Sequence, residues 1–451
     1  MATEETVSTP IKEDSFLDHL QDLQAVDDSY WSFKGRSQRS HCHALIQYPA
    51  MMVPEMQGEL IDLILHSDLN VKSIFDPFVG SGTTLGEALI RGLDFGGRDV
   101  NPLAILACEV KSAPLYVKAL KKKSHELLDR ICADNSETID VNFFGRDKWF
   151  TPAVQVELSR IRRSVMLEKS AWARRFFWLV VSDTVRATCN SRSSTYKLHI
   201  KTLEQIQRIG SPVSVFRKTL ERNLVKYEEQ RDLMHERGLL RSGIHKSKVD
   251  LKIEDVRDLC SETMPHKYDL LVTSPPYGDN ITTVTYGQYS YLPLQWIDTG
   301  DIRSTVSWKL LQSTSAIDSA GLGGSRREAL RKANALSQIS HSFDMVYEKV
   351  LAKSDDGAKR LSAFFADMNG SLPNIIGRLN PGSYMFWTLG NRHISGIQIP
   401  MDLILRELLE HLNCRHVYSI KRDIPSKKMA SRNKNVETMT EETILIMRAK
   451  S

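Results

Sequence analysis

The chain has 451 residues, 41% hydrophobic and 25% charged, which fits an ordinary globular protein of roughly two or three domains. No apolar run reaches the length of about 18 residues that a transmembrane helix needs, so no transmembrane helix is expected. The polar, acidic opening MATEETVSTPIKEDSF lacks the basic start and apolar centre of a signal peptide. Six cysteines lie scattered without a CxxC pair, which argues against a disulfide scaffold or structural zinc and for a reducing, cytoplasmic setting. The net charge is only +5, but residues 151–250 hold 20 Lys and Arg against 10 Asp and Glu. That concentration is a candidate footprint for a phosphate backbone, with a solvated helical face as the alternative.

In chain order, residues 1–40 read as a polar leader with a short helix around Phe16–Leu23. Residues 71–76 form an apolar strand that ends in DPFVGSGTT, and 83–93 has helical periodicity with Gly92 suited to the C-cap. Residues 95–100 give a second strand, so this is a βαβ unit of a parallel sheet. From 115 to 245 the pattern is helical and basic, with amphipathic helices expected at 115–131, 153–170 and 215–240. Strands return at 249–256 and 268–274, the latter followed by PPYGDN. Residues 300–345 are polar, with AGLGGSRR (320–327) read as flexible. Helices are predicted at 343–351 and 361–379, and strands at 382–391, 414–420 and 442–449, the last two as a terminal hairpin. The expected fold is α/β: a Rossmann-like, doubly wound, mostly parallel sheet with an inserted helical domain. Its parts are a leader (1–40), a core (41–114 and 246–451) and the basic helical insertion (115–245).

The loop at 76–84 follows a strand and opens a helix. Gly80 and Gly82 let the backbone approach a ligand, and the first helical turn offers free N–H groups. Asp99, at the end of the next strand, suits the two ribose hydroxyls of a nucleoside cofactor. No Gly-Lys-Ser/Thr follows, so this is not an ATP-binding P-loop. The alternative is a bare structural turn.

The second signal is LLVTSPPYGDN (270–280). Consecutive prolines at a strand end force a rigid extended turn that fixes the Pro275 carbonyl outward. Ser274 Oγ and that carbonyl can accept both hydrogens of an exocyclic amine, while Tyr277 stacks on the flipped base. Drawing both hydrogens aside favours a pyramidal nitrogen, whose lone pair can then attack a methyl group in line. Methylation at a ring carbon needs a cysteine nucleophile, usually preceded by proline, and none of the six cysteines follows one.

DPFVGSGTT resembles the first motif of the S-adenosylmethionine-dependent amino-methyltransferases that act on DNA, and TSPPYGDN resembles their fourth. GRDVNPLA (97–104) looks like the family's ribose-binding strand end, and HALIQYPAMMVPEMQGELIDLI (43–64) like the segment that covers the methionine end of the cofactor. The resemblance spans 41–110, 250–300 and, loosely, 380–450. It implies a class I methyltransferase core with S-adenosyl-L-methionine as cofactor. Asp76, Phe78, Gly80, Ser81, Gly82 and Thr83 would line that cofactor. Asp99 would hold the ribose, Asn101 would lie near the adenosine, and Tyr48 and Pro49 would flank the methionine. Asp255, an acid at the end of the strand before the catalytic one, is the candidate for the adenine amine. The catalytic set would be Ser274, Pro275, Pro276 and Tyr277; its serine form is the one commonest among N4-cytosine enzymes.

Within the basic segment, SDTVRATCNSRSSTYKLHIK (182–201) offers Arg186, Arg192, Lys197, His199 and Lys201 for contacts with double-stranded DNA, against the alternative of a solvated loop. GGSRREALRK (323–332), read as mobile, and RDIPSKKMASRNKN (422–435) are secondary candidates. No metal is expected; His393 and the other histidines are read as structural or surface groups. The leading expectation is N4-cytosine methylation of duplex DNA, with adenine N6 second. RNA methylation and a non-catalytic DNA-binding subunit are the remaining alternatives, and a cognate restriction or defence partner is conceivable. The insertion falls before the third strand rather than after it, which leaves open which segment reads the target.

Overall fold

The computed structural model describes residues 14–26, 30–33, 40–67, 69–192, 195–259, 267–303, 305–424 and 441–450. Its centre is a sheet of β1 (Ser73–Asp76), β2 (Asp94–Asp99), β3 (Val249–Ile253), β4 (Tyr268–Thr273), β5 (Leu379–Gly390), β6 (Arg415–Asp423) and β7 (Glu441–Arg448). The spatial order is β6-β7-β5-β4-β1-β2-β3. Only β7 runs against its neighbours; the pairs β1–β2, β1–β4, β2–β3 and β4–β5 are parallel. The chain leaves β1 in one direction and returns through β4 on its other side. The carboxyl ends of those two strands therefore flank a topological switch point, where open α/β sheets bind ligands. This is the Rossmann-like class I methyltransferase fold that the motifs imply.

Alternating strand residues supply two cores, as a doubly covered sheet requires. Ile74, Tyr384, Phe386, Ile444 and Ile446 face one cluster. Phe75, Met385, Trp387, Leu445 and Met447 face the other. The second face is covered by α11 (His341–Leu351), α12 (Asp355–Ile376) and α13 (Met401–His411), the first two near their predicted places. The first face carries α1 (Asp14–Val26), where Phe16 and Leu20 are buried and the Phe16 ring stacks on Phe386 at 6.0 Å. This stretch of the expected leader is thus part of the core.

Residues 115–245 join that same first cluster through α5 (Val117–Ala133), α6 (Pro152–Met166), α7 (Ala171–Thr188) and α8 (Pro212–Glu236). The sequence reading had no helix at α7. Phe176, Phe177, Trp178, Leu179, Val180 and Val181 are all buried, so the middle of the helix is a continuous apolar run with no 3.6-residue stripe, while Arg174, Arg175 and Asp183 flank it.

The stretch 320–327 differs from expectation. Arg257 Nη2 donates to the Ala320 carbonyl (2.8 Å) and Gly323 N–H to Asp367 Oδ2 (2.9 Å). Arg326 pairs with Asp356, and a helix follows at Ala329–Ile339. The glycines serve packing rather than flexibility: Gly323 has φ +74, and a Cβ there would meet Phe364 at 3.1 Å. No helix among the described residues is long and apolar enough to cross a membrane.

Candidate active site

Asp76 closes β1. It is fully buried, its Oδ1 accepts from Thr273 Oγ1 (2.6 Å) and Phe78 N–H (3.0 Å), and burial pushes its carboxyl up to about 6. These bonds tie the loop after β1 to the end of β4. The chain then turns through Gly80 (φ +49) and Gly82 (φ +76), conformations that favour glycine, into α3 (Thr83–Leu89). A Cβ on Gly82 would also lie 2.8 Å from Cys108 Sγ. Gly80 N–H donates to Asp99 Oδ2 (2.9 Å) and Asn101 N–H to Asp99 Oδ1 (2.8 Å). Burial still raises the Asp99 carboxyl to about 6.

These groups border a cleft at the carboxyl ends of β1, β2 and β4, lined by backbone, polar and apolar groups together. Phe78, Gly80, Ser81, Thr83, Asp99, Asn101, Asp255 and Tyr48 all line it, as do Ser274 and Pro276. Asp76, Gly82 and Pro49 sit behind this wall, so they shape the cleft rather than face it. Asp255 is bound by Arg257, whose Nε contacts both carboxylate oxygens at 3.0 Å. Several lining residues escaped the sequence reading. Glu254 is ion-paired to the buried Arg98 (2.7 Å), Val256, Ile317 and Leu322 form an apolar wall, and Asn280 and Tyr286 complete it. Ile317, Gly321 and Leu322 come from the stretch read as polar and flexible, where no spacing signals a wall.

Asn101 is the joint of the site. Its Oδ1 caps α4 (Pro102–Lys111) by accepting from Leu103 N–H, and its Nδ2 donates to Tyr48 Oη (2.9 Å) and Ser290 Oγ (2.8 Å). Tyr48 also stacks on Tyr286 at 5.7 Å. Both Tyr286 and Ser290 belong to α9 (Tyr286–Trp296), the helix after the Ser-Pro-Pro-Tyr turn.

At that turn Ser274 Oγ donates to Tyr277 Oη (3.2 Å), and Tyr277 Oη donates to Glu442 Oε1 (3.2 Å) on β7. Burial and the Glu442 carboxylate hold the Tyr277 hydroxyl well above its usual value, so it stays a neutral donor. Glu442 Oε2 meets Arg422 at 3.0 Å. Gly278 has φ +145, and a Cβ there would collide with the Arg392 guanidinium, which closes the turn from outside. Pro275 is buried. Ser274 and Pro276 thus stand on the wall of a cleft whose other end carries the Asp99 carboxylate, while Pro275 and Tyr277 lie behind that wall and do not line it.

The DNA candidates divide. Arg192, Lys197 and His199 are exposed on a loop whose Leu198 N–H donates to Gln288 of α9 (3.1 Å), beside the cleft. Arg186 is 8% exposed, with its guanidinium 4.6 Å above the Tyr289 ring, and Lys201 is half-buried with its ammonium on the Cys189 carbonyl (2.7 Å). Neither is presented outward: Arg186 sits in the last turn of α7 against Tyr289, and Lys201 turns in toward the Cys189 carbonyl. In the secondary candidates, Arg326 and Lys332 are paired with acids, Arg422 is buried, and 425–435 lie outside the described residues. His41, Cys42 and His43 bring ligand atoms within 4.8 Å of one another, but His43 is bonded to Glu87 (2.9 Å). The buried Lys111 ammonium beside them opposes a further cation.

No family model matches the chain. Among curated proteins it is similar to the type II methyltransferase M.MvaI of Kocuria varians, 30% identical over 455 aligned positions that cover 97% of each chain. The type II methyltransferase M.MjaII of Methanocaldococcus jannaschii is 31% identical over 96 residues, 21% of this chain and 17% of that one.

Proposed function

The chain belongs to the type II methyltransferase family of site-specific DNA methyltransferases, and from that premise we propose that it methylates the exocyclic N4 of a cytosine flipped out of duplex DNA, with S-adenosyl-L-methionine as donor. The observation that carries this reading is that Ser274 and Pro276 line the same cleft as Gly80, Asp99 and Tyr48. A base at the turn and a cofactor on the loop would share one enclosure.

The residues present fit that cofactor. Asp99 is half-buried with its oxygens held by backbone N–H groups, leaving lone pairs for two ribose hydroxyls. Val256, Ile317 and Leu322 give an apolar slot for a purine ring, and the buried Asn280 Oδ1 on the same wall has no partner. Phe78, Ser81 and Thr83 would cradle the nucleoside, Tyr48 would flank the methionine, and Asp255 and Asn101 would lie toward the adenosine. Asp76, Gly82 and Pro49 would support these positions from behind. Bound S-adenosylmethionine supplies an electrophilic methyl group on a sulfonium.

The protein's own part is orientation. Ser274 Oγ and the Pro275 carbonyl accept the two amine hydrogens, which frees the nitrogen lone pair. Pro275 and Pro276 keep those acceptors from moving, and the Tyr277 ring packs on the base. Preorganised acceptors of this kind carry most of the acceleration, and no covalent link to the protein is needed. Arg192, Lys197 and His199 extend the binding surface toward the duplex beside α9; Arg186 and Lys201 support that loop from beneath.

The test is the product. The protein is incubated with S-adenosylmethionine and unmethylated bacterial genomic DNA, the DNA is digested to nucleosides, and the methylated base is identified by mass spectrometry. N4-methylcytosine is expected. N6-methyladenine would keep the mechanism and change the base, and an unmethylated digest would overturn the reading.

A further inference from the structure

Arg422 lies in a stretch that reads as a basic loop, yet its side chain is buried at the foot of the last two strands. Its Nη1 donates to the Trp31 carbonyl (3.2 Å), and its Nε and Nη2 both reach Glu442 Oε2 at 3.0 Å. A guanidinium only donates, and a carboxylate only accepts. Glu442 Oε1 must therefore accept from Tyr277, and the Tyr277 oxygen is left to accept from Ser274. The polarity of the whole row is set at its buried end. The Ser274 hydroxyl hydrogen is spent on Tyr277, and only lone pairs remain to face the cleft.

We propose that Glu442 is a positioning residue for methyl transfer: through Tyr277 it holds Ser274 as a pure hydrogen-bond acceptor. This rests on the reading of the turn as an amine-binding site. Turned the other way, the same hydroxyl would donate its hydrogen to the amine nitrogen and occupy the lone pair that must attack.

Glu442→Gln tests the polarity rather than the packing. The amide has nearly the same shape, and Arg422 still demands an oxygen, so Oε1 turns to Arg422 and the amide nitrogen faces Tyr277. The Arg422 bond keeps its direction and the Tyr277–442 bond reverses, so the Tyr277 hydroxyl hydrogen, no longer held by a carboxylate, is free to turn to Ser274 Oγ and release the Ser274 hydrogen into the cleft. The measurement is the initial rate of methyl transfer from S-adenosylmethionine to unmethylated bacterial genomic DNA, together with cofactor affinity and thermal midpoint. We expect a rate loss on the order of tenfold to a hundredfold with affinity and midpoint unchanged. We also expect no further loss when the substitution is added to Tyr277→Phe. A variant as fast as the parent overturns the proposal, and so does a full-sized loss that persists in the Tyr277→Phe background. Should Glu442→Gln not fold, Tyr277→Phe alone decides, since it removes only the oxygen through which the row passes; a parent-like rate overturns it. A parent chain that methylates no amine would instead bring down the reading of the turn, and the relay with it.

Discussion

At the cleft, Asp99 is held by two backbone N–H groups and pushed upward by burial. In the helical segment 115–245, by contrast, charged groups neutralise one another. Arg163 meets Asp134 and Asp140 at 2.8 and 2.7 Å, Lys123 meets Glu168 at 2.7 Å, and Arg174 and Arg175 reach Asp301 and Glu109. The first region holds a half-buried carboxylate bonded only to backbone N–H groups, which our proposal assigns to a ligand; the second spends much of its charge on ion pairs that pack its helices. A surplus of basic residues in a segment therefore says little about where a polyanion binds. In our proposal the role of DNA contact falls to the exposed Arg192, Lys197 and His199 rather than to the whole segment.

The two regions should respond differently to substitution. The largest effect is expected from Ser274→Ala, which should lower the methylation rate on the order of a hundredfold to a thousandfold while calorimetry finds cofactor affinity nearly unchanged. Asp99→Ala should do the reverse at the other end of the cleft, weakening cofactor binding about tenfold to a hundredfold as its charge-assisted hydrogen bonds are lost. An Asp99→Ala affinity equal to the parent's would show that the reserved carboxylate is not a ligand.

The raised Asp99 carboxyl adds a pH dependence. Its folded value of about 6 lies above the ordinary 3.8, so the fold favours the protonated form. The stabilisation from this group is full below about pH 4 and is lost as pH rises through 6. Ribose hydroxyls need the ionised form, so cofactor affinity should run the opposite way and weaken about tenfold from pH 7.5 to pH 5. Titrations at both pH values should show this slope in the parent and lose it in Asp99→Asn.

The smallest effects belong to the helical segment. Replacing Arg192 and Lys197 together by Ala should weaken DNA binding modestly and lower the slope of log affinity against log salt by about 2. Arg174→Ala should leave that slope unchanged and lower the thermal midpoint, because the buried Asp301 loses its ion pair and keeps only the Trp178 N–H (2.7 Å) on its carboxylate. Equal salt slopes for the two variants would erase the distinction between spent and available charge.

Much of the cleft is legible from short stretches of sequence, because its chemistry rests on local backbone conformation. Gly80 and Gly82 adopt positive φ, the two prolines fix the turn after Ser274, and the strands predicted around them lie within a few residues of β1, β2 and β4. What local reading missed depends on partners far along the chain. Asn101 is 53 residues from Tyr48 and 189 from Ser290, and Tyr277 is 165 from Glu442. The helix Ala171–Thr188 was invisible because burial on every side of its central run 176–181 erases periodicity there. The wall at 317–322 was invisible because glycines that pack tightly are written with the same letter as glycines that move.

The position of β7 has a consequence for synthesis. It is the last strand along this chain, yet it lies between β5 and β6 rather than at an edge. A nascent chain that has not released residues 441–448 leaves β5 and β6 unjoined and Tyr277 without its carboxylate. The early-made loop after β1 can fold around the central strands first, while long-range pairing of this kind comes late. The Tyr277–Glu442 bond then forms only as the sheet closes, so a chain that lacks 441–448 should lose that bond together with the β5–β7 and β7–β6 pairings.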